Sequence, residues 1–453
     1  MKKLLNFMLV AFVTVSLAAC NNDDDNNTPT PTGMAFTTSQ SNGMTVVSGS
    51  TEEDFTMTAD KKYLLSGFVT VKEGATLTIE PGTVIMGDKD SKGALIIERG
   101  GKIMANGTAA KPIVFTSAQP AGQRKPGDWG GVIILGKAPV NLGENVKIEG
   151  GVEREYGGTD ANDNSGSLKY VRIEYPGIAF QPDNEINGLT LGGVGAGTTI
   201  DYVQVSYSGD DSFEWFGGTV NAKHLIAYST VDDMFDTDNG YSGKLQFLVG
   251  ISNPTLADVS DSNGFESDND SKSTDATPQT SAVFSNVSLF GPRATATTTF
   301  HEKFGRGLHI RRNSAIQLYN AVIAGWPTGL LLDGVTTQAN ATAGKLKIQN
   351  TIIAGVPAGK ALTVEEGGTY DVVTWFNASG NANTIIADNA VLGIGGAFFS
   401  ASRPDFTTAA QLQADASFTG LDSFFEQVDY IGAFGIEDWT NGWANFSPND
   451  TTY

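Results

Sequence analysis

Residues 201–218 (DYVQVSYSGDDSFEWFGG) lie over residues 223–240 (KHLIAYSTVDDMFDTDNG) without a gap, at an offset of 22. Asp210-Asp211 falls on Asp232-Asp233, Phe213 on Phe235, Glu214 on Asp236 and Gly218 on Gly240. Further along, Val322-Ile323-Ala324-Gly325 returns as Ile352-Ile353-Ala354-Gly355, 30 residues later. A repeat of this length is one supersecondary unit, too small to bury its own apolar side, so neighbours must stack to make a core. No helical periodicity runs through the unit. It is assembled from short β runs such as Thr76–Ile79, Ile113–Phe115 and Val132–Leu135, broken by Gly, Asn and Pro. The chain is therefore expected to be all-β, with one coil per repeat and coils about 4.8 Å apart.

Composition agrees with that reading. Glycine supplies 54 of 453 residues, about 12% against a usual ~7%, as many tight turns require. An apolar content of 40% can still fill a core. The formal charge of −21 argues against nucleic acid as a partner, because a polyanion would be repelled at long range.

The beginning of the chain reads as an address. Lys2 and Lys3 precede an apolar run from Leu4 to Leu17, which ends in Leu17-Ala18-Ala19-Cys20. That run is short for a membrane span and closes on small residues, as secretory signals do. Cys20 is the single cysteine. The segment resembles a bacterial lipoprotein signal, which implies cleavage after residue 19 and acylation of Cys20, with lipid as the anchor to the outer membrane. The following Asn21–Gly33 stretch (NNDDDNNTPTPTG) has no large apolar side chain and reads as a solvated tether over residues 20–35. Its acidic start resembles the export signal that places Bacteroidota lipoproteins on the cell surface. Proteins of that layout imply a TonB-dependent receptor as a partner.

The run Gly74-Ala75-Thr76-Leu77-Thr78-Ile79-Glu80-Pro81-Gly82-Thr83, with Gly100-Gly101-Lys102-Ile103 and Pro112-Ile113-Val114-Phe115-Thr116, resembles right-handed parallel β-helix proteins of the pectin-lyase-like superfamily. The resemblance implies a right-handed parallel β-helix over residues 36–404. It leaves function open, since the fold hosts lyases, hydrolases, adhesins and binding proteins. From Asp405 the coil pattern ends. Residues 405–453 carry Phe424, Phe425, Tyr430, Phe434, Trp439, Trp443 and Phe446, and are expected to form an aromatic-rich C-terminal cap over exposed core.

Chemistry concentrates in the acidic repeat. If coils stack in register, equivalent carboxylates stand one strand spacing apart and repel by about 3–4 kcal/mol at an effective dielectric of ~20. Such a column needs a cation, a proton or a basic partner. Asp210, Asp211, Asp232, Asp233, Asp236 and Asp238 are the candidate metal ligands, and calcium suits them as a hard ion taking several oxygens. Glu266 and His309 extend the Glu214–Asp236 column, so Glu214, Asp236, His309 and Arg311 are the candidate catalytic set. Trp215, Glu266, Arg306 and Arg312 are candidate ligand contacts, with a glycan as the expected class.

The Gly209-Asp210-Asp211 step resembles polygalacturonases, although their Asn-Thr-Asp, Gly-His-Gly and Arg-Ile-Lys steps are absent. The loop 258–270 fails an EF-hand template, because Val259 stands where the first oxygen ligand belongs. Turn capping by the aspartates, cation binding and acid–base catalysis all remain open at this level. The expected function is a surface lipoprotein that binds an extracellular ligand; the alternatives are a polysaccharide lyase or glycoside hydrolase, and a structural or adhesive spacer.

Replacing the single cysteine tests the anchor. Cys20→Ala is expected to abolish fatty-acid labelling and release the protein from membranes, as read by metabolic labelling and fractionation; labelling that persists in the variant would contradict it.

Overall fold

A computed structural model describes residues 33–453, apart from 144–145, 182–183, 401–402 and 409–411. The signal region, Cys20 and most of the tether lie outside the described residues. Among those described, no helix is long and apolar enough to cross a membrane. Twenty-five of the strands form one continuous sheet, paired in parallel from coil to coil after an antiparallel opening pair, Thr37–Ser41 with Met44–Thr51, and two short antiparallel ribbons, Val146–Lys147 with Glu155–Tyr156 and Ala179–Gln181 with Asn184–Glu185, stand apart from it. This is a right-handed parallel β-helix, the hand that parallel crossovers overwhelmingly take.

Each coil of the middle region has one long strand and one short strand. The long strands run through Gly166–Glu174, Thr199–Ser206, Asn221–Tyr228, Lys244–Ile251, Val283–Phe290, Gln317–Ala324 and Lys347–Ala354. Each bends at one left-handed residue: Tyr170, Tyr202, His224, Phe247, Asn286, Asn320 and Asn350, all with φ between 50° and 62°. The bends pile into a column. Their aromatic members stack at 4.4 Å (Tyr170 on Tyr202), 4.1 Å (Tyr202 on His224) and 5.0 Å (His224 on Phe247). Side-chain contact with the coils above and below stabilises a conformation that is uncommon for residues carrying a Cβ.

The short strands Leu189–Gly192, Phe213–Phe216, Phe235–Asp238, Phe265–Ser267, Arg306–Ile310 and Thr328–Leu332 form the ladder that matters for chemistry. Its register puts Phe213 on Phe235, Phe235 on Phe265 and Phe265 on Leu308, so the offset of 22 read from the sequence is one coil of this stack. These side chains point inward, and their rings stack at 5.5 and 5.4 Å. The residues between them point outward. One column therefore reads Thr190, Glu214, Asp236, Glu266, His309, Leu331.

Two devices close the apolar column. At its C-terminal end the short helix Val372–Phe376 lays Val372 and Phe376 on the core. The aromatic-rich tail covers a flank of the stack, where Ile226, Tyr228, Val249, Ile251, Phe290 and Val322 face outward. Phe398, Phe406, Phe434, Trp443 and Phe446 bury that surface. The tail thus shields apolar surface as expected, and the surface lies along the side of the solenoid.

Removing one ring from the inward stack leaves a cavity that flanking coils cannot fill. Phe235→Ala is expected to lower stability by about 3–5 kcal/mol, measured by reversible denaturant unfolding; a loss below about 1 kcal/mol would contradict the close-packed ladder.

Candidate functional site

Outward positions of the short-strand ladder line a groove of about 440 Å³. Eleven carboxylates and one arginine, Arg311, stand around it. The floor is built by the repeat itself. Glu214 and Asp236 are paired across adjacent strands, and Asp236 is paired with Glu266. The turn before each strand adds a second row, Asp210-Asp211 and Asp232-Asp233.

That row is tied into the backbone. Asp211 Oδ1 accepts from the Asp233 amide at 2.8 Å, and Asp233 Oδ1 accepts from the Asn263 amide at 2.5 Å. Each aspartate thus caps the next coil's turn, which is the turn-capping role expected of Asp at such positions. One oxygen of each carboxylate is spent this way, and Asp233 Oδ2 also accepts from Asn263 Nδ2 at 3.4 Å. On the groove wall, Gly177 runs at φ +93°, and a Cβ there would lie 2.4 Å from the Gly209 nitrogen. Backbone of neighbouring coils touches at this point, so a side chain has no room.

The walls come from insertions. One carries Glu149 and Glu185, with Asn187 donating to Glu149 and to Glu214. The other is the loop carrying Asp258, Val259, Ser260 and Asp261. Ser260 Oγ lies 2.6 Å from Asp258 Oδ2 and 3.3 Å from Asp232 Oδ2, and Asp261 is anchored by Arg306 at 3.0 Å. The loop that fails the EF-hand template therefore still contributes oxygens to the site, as part of its rim.

Three carboxylate triplets bring one oxygen each to within 4.8 Å of one another: Asp210/Asp211/Asp232, Asp211/Glu214/Asp236 and Asp233/Asp236/Glu266. They overlap through Asp211 and Asp236. Asp211, Glu214 and Asp233 are only 6%, 7% and 4% exposed. Burial first, and then the neighbouring carboxylates, push Asp210, Asp211, Glu214, Asp232 and Asp236 well above the ordinary carboxylate range. Burial and the Glu266 charge raise Asp233 to about 8. Asp236 Oδ1 is buried with no hydrogen-bond partner.

Arg311 at the far end of the groove, and His309 and Arg312 just beyond it, are fully engaged. Arg311 pairs with Glu266 and, at 2.8 Å, with Asp268; Arg312 pairs with Asp268 at 2.6 Å. His309 sits between Glu266 and Asp333, 3.2 Å from each. Burial works against the Glu266 charge, yet His309 and Arg311 hold its carboxyl below the usual range. His309 is raised in turn: its hydrogen bonds to Asp333 and Glu266 outweigh the burial that opposes its charge.

The structure therefore gathers Asp210, Asp211, Asp232, Asp233, Asp236, Glu214, Glu266 and Arg311 into one groove. Three expectations are corrected. Trp215 points inward, fully buried between Phe213 and Tyr241 at 5.9 and 5.4 Å, so it cannot stack on a ligand. Asp238 stands outside the groove beside Asp268 and Asp270, in none of the three triplets. Arg306 and Arg312 hold Asp261 and Asp268 and do not line the groove. Glu149, Glu185, Asn187 and Asp258 were missed as site residues; Glu149, Glu185 and Asp258 arrive on insertions that carry no repeat signal, and Asn187 stands at the coil position equivalent to Asp211.

A family profile described as a pectate-lyase like beta helix domain matches residues 49–394. The chain belongs to the pectate-lyase-like β-helix family. Among solved structures, the Dettilon tailspike protein matches at 9% identity and a TM-score of 0.24, over 68% of this chain and 62% of that one. No curated protein matches the chain significantly. Membership of the pectate-lyase-like β-helix family establishes the solenoid and connects it with glycan binding or processing; the chemistry has to be argued from the groove.

The raised carboxyls set a sign for pH. A group bound to its proton more tightly when folded contributes less stability as pH rises, from its unfolded value near 3.8 up to its folded one, about 8 for Asp233. In chelator, the melting temperature is expected to fall between pH 4 and pH 8, and Asp233→Asn should flatten that fall. A melting temperature that climbs across this window in chelator, or is indifferent to the substitution, would contradict the crowding of charge.

Proposed function

We propose that this protein binds calcium in the acidic groove and, through it, an acidic extracellular glycan, while anchored to the outer membrane by acylated Cys20. The observation that carries the reading is the set of three overlapping carboxylate triplets with one arginine at their edge. Eleven carboxylates around 440 Å³ are unfavourable by themselves. A hard divalent cation removes that repulsion, and the donor set fits one: all oxygens, irregularly placed, with Asp236 Oδ1 lacking any other partner.

In this reading Asp211, Glu214 and Asp236 hold the cation, supported by Asp210, Asp232, Asp233 and Glu266. A bound cation would supply positive charge at the groove floor for an anionic sugar. Asp258 on one wall, and Glu185 on the other, border the approach and would repel polyanions until charge is neutralised. Glycan binding should therefore depend on calcium. The export-type tether after Cys20 supports display at the cell surface, and a TonB-dependent receptor is the proposed partner for uptake of the bound ligand.

One observation favours hydrolysis as a second reading. Glu214 and Asp236 are held towards the protonated form while Glu266 is held ionised. Glycoside hydrolases work with one carboxyl in each state. Elimination is less favoured, because Arg311 is committed to Glu266 and Asp268 and keeps its proton. A reducing end released from an acidic glycan and lost in Glu214→Gln would support hydrolysis, and an unsaturated uronide would show elimination.

Calcium that binds only the folded state stabilises it as RT ln(1 + [L]/Kd), about 2.7 kcal/mol at a hundredfold excess over Kd. Millimolar calcium is expected to raise the melting temperature by several degrees. Asp211→Asn combined with Asp233→Asn should remove most of the rise, and chelator should abolish retention on an acidic-glycan array. Identical melting curves in calcium and in chelator would leave turn capping as the sole role of these aspartates.

A further inference from the structure

After Thr384–Ile386 the described chain forms no further strand, yet its backbone is not left to solvent. It returns along the flank of the solenoid towards the first coils. Asp415 and Ser417 meet Asn350 and Asn320, Glu426 meets Gln246, Tyr430 and Gly432 meet Asn286, and Asn445 meets Gln204. Pro448 and Thr451 then accept from Arg124, and the Tyr453 carbonyl from Lys62.

The recognition is of one kind. Gln204 Nε2 donates to the Asn445 carbonyl at 2.8 Å while its Oε1 accepts from the Asn445 amide at 2.8 Å. Gln246 does the same with Glu426 at 2.7 and 2.8 Å, and Asn320 with Ser417 at 3.0 and 2.8 Å. Each side-chain amide takes the place of a neighbouring strand's peptide group, so successive coils present a row of docking points for an extended chain. At the end of the row the Tyr453 hydroxyl enters a closed site, 2.6 and 2.8 Å from the two oxygens of buried Glu174, with Arg124 and Arg172 beside its ring.

The coils complete their own backbone ladders, whereas the returning segment has no ladder and is held mainly by coil side chains, with two backbone bonds, from the Gly432 amide to the Asn320 carbonyl and from the Gly122 amide to the Asn449 carbonyl. We propose that residues 412–453 are a separable clasp: an extended peptide that docks on the formed solenoid, is locked by Tyr453 in the Glu174 site, and opens as a unit while the coils stay folded. Opening would uncover Tyr228, on which Phe446 packs, and Val322 beside Gly432 on the flank.

Hydrogen exchange on the full chain tests this. The amides of Glu426, Ile431, Ala433 and Asn445 should exchange together, at least tenfold faster than the ladder amides of Leu225–Ala227. Tyr453→Phe, and independently Gln204→Met, should speed the clasp amides severalfold more and leave the ladder amides unchanged. Clasp and ladder amides exchanging in step in the unsubstituted protein would overturn separability. A clasp indifferent to Tyr453→Phe would overturn the lock, as would acceleration of ladder and clasp alike by both substitutions.

Discussion

Parallel pairing in register is the constraint on which this molecule depends. It sets each side chain directly over its equivalent one coil away, so whatever occupies a position meets its own kind about 4.8 Å along the axis. For Phe213, Phe235 and Phe265 that rule yields a stacked core. For Tyr170, Tyr202 and His224 it yields a stacked column at the bends. For Glu214, Asp236 and Glu266 it yields repulsion. The same geometry that stabilises the fold loads the groove.

That load is discharged differently along the axis. At the C-terminal end of the column, His309 and Arg311 take over the register and neutralise Glu266. At the N-terminal end, Thr190 and Asn187 replace acids. Between them, among the described residues, Asp211, Glu214 and Asp236 form a three-carboxylate group without an ion pair of its own, and Asp236 Oδ1 is buried without a hydrogen bond. Compensation at the C-terminal end, against Glu149 adding charge beside Glu214 on the N-terminal wall, localises the proposed cation site to the coils of Asp211, Glu214 and Asp236.

Much of this was legible before any coordinates. The offset of 22 is one coil of the short-strand ladder, and the echo of Phe-acid at Phe265-Glu266 and of Leu308-His309 is the true register. Alternation within a strand also contained the answer for Trp215: two residues from inward Phe213, it had to face the core. The walls were not legible. Glu149, Glu185 and Asp258 sit on insertions whose sequence repeats nothing, and only tertiary packing brings them to the groove. The tail's place on the flank was hidden for a related reason, because outward apolar residues such as Ile226 and Val249 look like ordinary core in a β run.

The central claim, that stacked carboxylates exist here to hold a cation, is tested most directly by anomalous diffraction from crystals grown with calcium. The account predicts a peak bounded by Asp211, Glu214 and Asp236, with carboxylate oxygens at about 2.3–2.6 Å. A groove without a peak at saturating calcium, with those carboxyls hydrogen-bonded to one another, would contradict it.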